Sequence, residues 1–237
     1  MNVVIHRSET RGHANHGWLD THHTFSFGMY HESSRMHFGV LRVLNDDYVI
    51  GGAGFGKHGH DNMEIISIPL QGSLAHSDST GNDGIISTGD IQIMSAGSGI
   101  QHAEYNASET DLVNFLQLWI FPKLRNIQPR YDQLTFSKEQ LSNKLQHIVS
   151  ATEKEGTLWI NQDAELYLGE FDISTDISHA VKSDNHGLYV FVIEGVVTIG
   201  DITLNKRDGI GICDADSVLM RIHEQSKILL IEVPMKL

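Results

Sequence analysis

The sequence predicts a mainly β protein built as two tandem barrels, and three observations predict it. Strand-length apolar runs recur through the 237 residues, glycine is frequent (22) while proline is rare (4), and the two halves echo one another. The runs fall at 38–44, 64–70, 91–94 and 113–121 in the first half, and at 188–193, 210–213 and 228–233 in the second. They are short, rich in β-branched residues and bounded by Gly, Asp or Asn, the punctuation of a sandwich or barrel rather than of a helical protein.

The echo sets the domain count. QGSLAHSDS, a turn and GDIQIM in the first half resemble EGVVTIGD, a turn and RDGIGI in the second, with Gly72 aligned to Gly195 and Asp90 to Asp208. A strand, a glycine, a hairpin and a Gly/Asp-led strand in both halves read as a duplicated barrel. Between them, PKLRNIQPRYDQLTFSKEQLSNKLQHIVS holds two prolines and one short helical stretch at 137–145, opened by a capping box of Ser137 and Gln140. The expected division is therefore 1–121 for the first barrel, 122–150 for a linker with short helices, and 151–237 for the second barrel.

Composition excludes several classes. Hydrophobic residues make up 40% and charged residues 20% of the chain, an ordinary globular balance. With 17 Lys+Arg against 30 Asp+Glu, the formal charge of -13 repels a phosphate backbone, and the basic residues Lys123, Arg125 and Arg130 are too sparse to form a cationic face. No direct nucleic-acid contact is expected. No run approaches the roughly 18 apolar residues of a membrane span, and MNVVIHRSETRGH does not read as a secretory leader. Cys213 is the single cysteine, which excludes an intrachain disulfide and a Cys-rich zinc module. The expectation is a cytoplasmic monomer without membrane contact.

The chain carries 15 histidines, and spacing separates the informative ones. In GGAGFGKHGHDNME, His58 and His60 are two apart; in IMSAGSGIQHAEYN, so are His102 and Glu104. Residues i and i+2 of a strand share a face, so two such strands facing one another present three imidazoles and a carboxylate to one cavity. That set suits Fe, Ni, Cu, Zn or Mn, and it leaves positions open on an ion that accepts five or six ligands.

The pattern G-x5-HxH-x3-E from Gly52 to Glu64 looks like the first cupin motif. With RGHANHGWLD, HTFSFG, LRVLNDD, HGHDNMEIISIPLQGSLAHSDS and MSAGSGIQHAEYN, the first half resembles the pirin family of bicupins, densely from about Arg11 to Pro122 and more weakly beyond. The resemblance is to the bacterial pirin-like proteins described as quercetin 2,3-dioxygenases. It implies two cupin barrels, with His58, His60, His102 and Glu104 as ligands of one divalent metal ion. Iron is expected first, with Ni, Mn, Co, Cu or Zn as other candidates. Glu64 matches the acidic residue of the general cupin motif and reads as a supporting strand residue, while Ser95 stands where proline is usual.

The remaining candidates have structural readings. His13, His16, His22 and His23 read as partly buried histidines bonded to backbone, His76 as surface or supporting, and Trp18, Phe25 and Phe27 as core. The glycine alignment places the second barrel's counterparts of His58 and His60 at Val181 and Ser183. The aspartate alignment places those of His102 and Glu104 at Met220 and Ile222. None is a good ligand, so one ion per chain is expected, with His179, His186 and His223 nearby but unpaired. Cys213 reads as a buried apolar thiol.

The resemblance implies an oxidoreductase, a metal-dependent dioxygenase (quercetinase) that binds a flavonol-like small molecule and O2 and releases CO, with Glu104 as the catalytic proton acceptor. The alternative is a metal- or redox-responsive regulator whose protein partner is a transcription factor or a metabolic enzyme.

Overall fold

A computed structural model describes residues 2–183 and 185–236. Each half contributes one seven-stranded and one four-stranded sheet, antiparallel except for the parallel pair Gln146–Ser150 and Leu158–Trp159. In the first half the larger sheet runs Arg130–Thr135, Asp90–Ser95, Glu64–Gln71, Val113–Ile120, Leu41–Val49, Leu19–His23, Gly12–Asn15. The smaller runs Gly54–His60, Ile100–Asn106, Ser73–Asp78, Asp83–Ser87. The second half repeats this order with Asn2–His6, Gly209–Cys213, His186–Glu194, Ser226–Pro234, Glu165–Phe171, Gln146–Ser150 and Leu158–Trp159. Its four-stranded sheet is Thr175–Ala180, Ser217–Ile222, Val196–Ile199 and Ile202–Asn205. The echo in the sequence is thus a duplication of sheet order. Gly72 (φ 75°) and Gly195 (φ 80°) make the same left-handed turn in each copy.

The expected segment boundaries differ from the strand pairing. Asn2–His6 pairs with Gly209–Cys213 and is an outer strand of the second barrel, not the first. The segment 122–150 is no mere linker: Arg130–Thr135 pairs with Asp90–Ser95 of the first barrel, and Gln146–Ser150 pairs with Glu165–Phe171 of the second. Each large sheet would otherwise offer an unpaired edge beside its Asp- or Gly-led strand, and a strand from outside the local repeat covers it. The helix at 137–145 shrinks to Lys138–Leu141. Its capping box is present, with Gln140 N–H donating to Ser137 Oγ (3.4 Å) and Ser137 N–H to Gln140 Oε1 (2.8 Å). Asn143 at φ 53° then turns the chain out of the helix toward the next strand.

Packing distinguishes the barrels. The largest apolar cluster joins them, bringing Ile66, Ile68, Leu116 and Leu118 from one large sheet into a cluster with Leu166, Leu168, Leu229 and Ile231 from the other. The second barrel is filled by Leu188, Val190, Val192, Val197, Leu204, Val218, Met220 and Ile222. Among the described residues the first barrel holds two small clusters, one around Leu74, Ile86 and Phe115 and one around Ile65, Met94 and Ile100. A buried ion pair adds to the apolar contact: Arg207 of the second barrel donates from Nε to Asp46 Oδ2 (2.8 Å) and from Nη2 to Asn114 Oδ1 (3.1 Å), while Asn114 donates to Asp46 Oδ1 (2.9 Å).

Candidate metal centre and cavity

Strand Gly54–His60 lies antiparallel to Ile100–Asn106, with His102 directly opposite His58 and Ile100 opposite His60. Side-chain alternation turns His58 and His60 inward together, and the three imidazoles converge, with ring centroids 4.8 Å (58–60), 4.5 Å (58–102) and 5.0 Å (60–102) apart. One ring nitrogen from each lies within 4.8 Å of the others. His58 Nδ1 donates to the Gly56 carbonyl (2.7 Å), which puts its proton on that nitrogen and leaves Nε2 with a free lone pair. His102 is 2% exposed, and neither ring nitrogen has a hydrogen-bond partner among the described residues. Burial, reinforced by the neighbouring His58, lowers His60 to about 4; burial with His58, His60 and His76 lowers His102 to about 3. Both rings are neutral at physiological pH, the state that can donate to a cation.

Glu104 is placed differently from its imidazole neighbours. A bulge between His102 and Glu104 shifts the register, so Glu104 faces Phe55 across the strand pair. It converges with His102 and His76 in a second donor set, rather than with His58 and His60. Ser67 Oγ donates to Glu104 Oε1 (3.0 Å) and Gln117 Nε2 to Oε2 (2.9 Å), while Trp119 Nε1 donates to Gln117 Oε1 (3.2 Å) and fixes that amide's direction. Burial pushes the Glu104 carboxyl up, against the pull of His76, Ser67, His58 and Gln117.

His76, read from the sequence as surface or supporting, is fully enclosed at 1% exposure. Its Nε2 lies 3.3 Å from Asp78 Oδ2, its Nδ1 has no partner among the described residues, and Tyr131 covers its ring at 4.7 Å. The sequence signal was its even spacing with Asp78 on one strand opposite Glu104 and His102, visible only once that pairing is known.

Glu64 lies outside the histidine cluster. It accepts from Ser95 Oγ (2.7 Å) on the paired strand and from the Asn161 N–H (3.3 Å) of the second half. Serine in place of the usual proline therefore supplies the hydrogen bond that a buried carboxyl needs.

A cavity of about 800 Å³ opens beside His58 and His60. Trp18 and Phe27, expected in the core, line it with Phe55 and Trp119; Trp18 also packs against the Leu74 and Phe115 cluster, and Phe25 is fully core. Trp18 meets Phe55 edge-on at 5.2 Å, and Phe27 meets Trp119 at 5.3 Å. His13, His16 and His23 also line the cavity. His13 Nε2 bonds an Asp20 carboxylate (2.7 Å) and His23 Nδ1 the Asn45 side chain (3.0 Å), so their partners are side chains rather than backbone.

In the second barrel, the pairing register corrects the glycine-based counting. Met220 faces Ile177 and Val218 faces His179, so the counterparts of His58 and His60 are Ile177 and His179, not Val181 and Ser183. The connection after Thr175–Ala180 is longer than its counterpart after Gly54–His60, which displaces any count from the glycine. Met220 and Ile222 stand as expected in the places of His102 and Glu104. His179 Nε2 is engaged by Glu232 Oε2 (2.9 Å), and His186 Nδ1 by Glu232 Oε1 (3.1 Å). Cys213 is half-buried, and burial with Asp214 pushes its thiol up, away from reactivity.

Two packed barrels, one filled with aliphatic side chains and the other gathering imidazoles and a buried carboxyl beside a cavity, define a bicupin whose candidate metal-binding groups among the described residues, His58 with His60 and His102, His76 with His102 and Glu104, and the surface set His13, Asp20 and His22, all lie in its first barrel. The pirin family profile matches residues 4–120, and that of the quercetinase C-terminal cupin domain matches residues 147–233. The chain is 38% identical to the quercetin 2,3-dioxygenase of Escherichia coli (strain K12), covering 98% of this chain and 99% of that one. It is 36% identical to a pirin-like protein of Caulobacter vibrioides over 93% and 95% of the two chains. The structure of bacterial pirin YhhW from Escherichia coli in complex with nickel(II) superposes with a TM-score of 0.93 at 37% identity, covering 98% of this chain and 99% of that one. The chain belongs to the pirin family.

Proposed function

We propose that this protein is a metal-dependent dioxygenase of the pirin type, which cleaves quercetin-like flavonols with O2 and releases CO. The observation that carries this reading is the His58, His60, His102 trio, whose buried His102 nitrogens have no partner among the described residues and whose rings stand beside an aromatic cavity. Buried polar atoms are rarely left unpaired, and a cation is the partner that three neutral imidazoles fit. In this reading His58, His60 and His102 hold one divalent ion per chain and Glu104, which in this structure meets His102 from the His76 side, completes the set. Iron is the first expectation, and nickel is favoured by the relative solved with it.

When bound, that ion supplies Lewis acidity that lowers the pKa of a flavonol 3-hydroxyl. Glu104 accepts the hydroxyl proton, with Ser67 and Gln117 holding its carboxylate in place and burial strengthening it as a base. Trp18, Phe27, Phe55 and Trp119 enclose a planar ring system and exclude water, in a volume within the range of small-molecule sites. No Lys or Arg lines the cavity among the described residues, which favours an uncharged aromatic over a phosphate or carboxylate ligand. A cytoplasmic monomer is the accompanying proposal, in keeping with the single cysteine, Cys213.

The test measures oxygen uptake and CO release with quercetin alongside metal content. Glu104→Gln should depress turnover about 100-fold or more, at the low end of general-base effects, while metal content falls far less. Metal-replete protein that consumes no oxygen with several flavonols, across Fe, Mn, Ni, Co and Cu, would transfer the site to a regulatory protein that binds a transcription factor or metabolic enzyme.

A further inference from the structure

The cavity has a second polar pole, on strands Leu19–His23 and Leu41–Val49 of the large sheet, that the reaction at His58 and His60 does not use. Thr21, His23, Asn45 and Asp47 all line the cavity, yet each is at most 5% exposed. Their hydrogen bonds can be assigned by counting protons. Thr21 has one hydroxyl proton and donates it to Asp47 Oδ1, so toward His23 Nδ1, 3.4 Å away, it can only accept. His23 Nδ1 also reaches Asn45 Oδ1 at 3.0 Å, again an acceptor. The ring proton therefore sits on Nδ1, and Nε2 is left as an acceptor. Burial lowers the pKa of His23, so its ring is neutral and Nε2 keeps its lone pair.

Asp47 has the same character. Thr21 engages Oδ1, and no described residue donates to Oδ2. Its pole thus presents two acceptors, His23 Nε2 and, once the buried carboxyl ionises above about pH 7, Asp47 Oδ2, to a cavity without a lysine or arginine to answer them. Acceptors without a protein donor select a ligand that brings its own O–H groups, and leaving them unmet inside a desolvated pocket is costly.

We propose that His23 and Asp47, held by Thr21 and Asn45, form a specificity pole that binds phenolic hydroxyls on the ring of the substrate farthest from the reacting 3-hydroxyl. The proposal rests on the flavonol reading above and adds to it the residues that read hydroxylation of the distal ring. The Phe27 ring stands 5.3 Å from that of His23 and supplies an apolar face beside the pole, so the acceptors meet hydroxyl protons at the ring edge.

The experiment is anaerobic binding at pH 8.5, where Asp47 is ionised, to the metal-loaded protein, followed by quenching of tryptophan fluorescence, with three flavonols differing only in that ring. Galangin carries no hydroxyl there, kaempferol one and quercetin two. Wild-type protein should bind quercetin about tenfold or more tightly than galangin, the scale of a hydrogen bond to a charged or buried acceptor. Asp47→Leu should abolish most of that preference by weakening quercetin, while galangin changes less than about threefold. His23→Phe provides an independent variant on the neighbouring strand and should act in the same direction, with thermal melting confirming that both variants fold. Flavonols that bind the wild type without regard to hydroxylation, or variants that weaken all three equally, would overturn the specificity pole alone. Absence of binding by any flavonol would overturn the flavonol reading, and this proposal with it.

Discussion

Replacing Asp47 with asparagine should change the pH dependence of stability in a direction opposite to that of most carboxylates. Asp47 is 3% exposed, and burial raises its carboxyl from 3.8 to about 7, with Thr21 pulling down and Asp46 and Glu104 adding to the rise. The folded state then holds this proton more tightly than the unfolded state. The stability it confers is present in full below pH 3.8 and is lost progressively as the pH rises to about 7. A shift of this size corresponds to about 4 kcal/mol over the whole interval at ~1.4 kcal/mol per unit, and about 2–3 kcal/mol of it falls between pH 5 and pH 8.5. Asparagine keeps an oxygen for Thr21 and removes the titration. Urea denaturation of chelator-treated wild type and Asp47→Asn, followed by circular dichroism at pH 5, 6.5 and 8.5, isolates this term, because every other titrating group is common to both proteins. The variant should gain about 2–3 kcal/mol on the wild type between the extremes. Parallel curves, within about 0.5 kcal/mol, would refute the assignment of a buried carboxyl that keeps its proton up to about pH 7 at Asp47.

His102→Ala or His58→Ala should remove most of a metal complement that saturates near one equivalent per chain, read by elemental analysis, with the β circular dichroism spectrum retained because the apolar cores do not depend on the ion. Arg207→Met leaves Asp46 buried with Asn114 and a longer contact to Arg11 (3.5 Å), and should cost about 3 kcal/mol in chemical denaturation, the scale of a broken buried ion pair. Acid should attack the second barrel at Glu165, which is lowered to about 2 by His147 and Lys182 despite the opposing effect of burial. Its contribution is present above the ordinary carboxylate value and is lost as pH falls from about 4.5 toward 2. Glu165→Gln should remove about 1–2 kcal/mol at pH 6, after allowance for solvent screening, and nothing near pH 2, as measured by hydrogen exchange in the Glu165–Phe171 strand.

Strand identity and the three converging histidines were legible in the sequence because both follow from a local rule, the two-residue period of a strand. His58 and His60 share a face whatever else the chain does, as do His102 and Glu104, and the repeated turn at Gly72 and Gly195 marks the duplication without reference to distant contacts. Register between distant strands has no local signature. It placed His179 rather than Ser183 at the second barrel's counterpart of His60, and enclosed His76 beside Glu104. It also sent Asn2–His6 across to the second barrel. The bulge after His102, which turns Glu104 toward His76, is likewise a property of two strands paired together. The aromatic segment from Trp18 to Phe27 reads equally well as core or cavity wall, since both environments reward apolar surface. Only the packing of the two barrels, one filled by leucine, isoleucine and valine and the other left open around its polar residues, decided which it became.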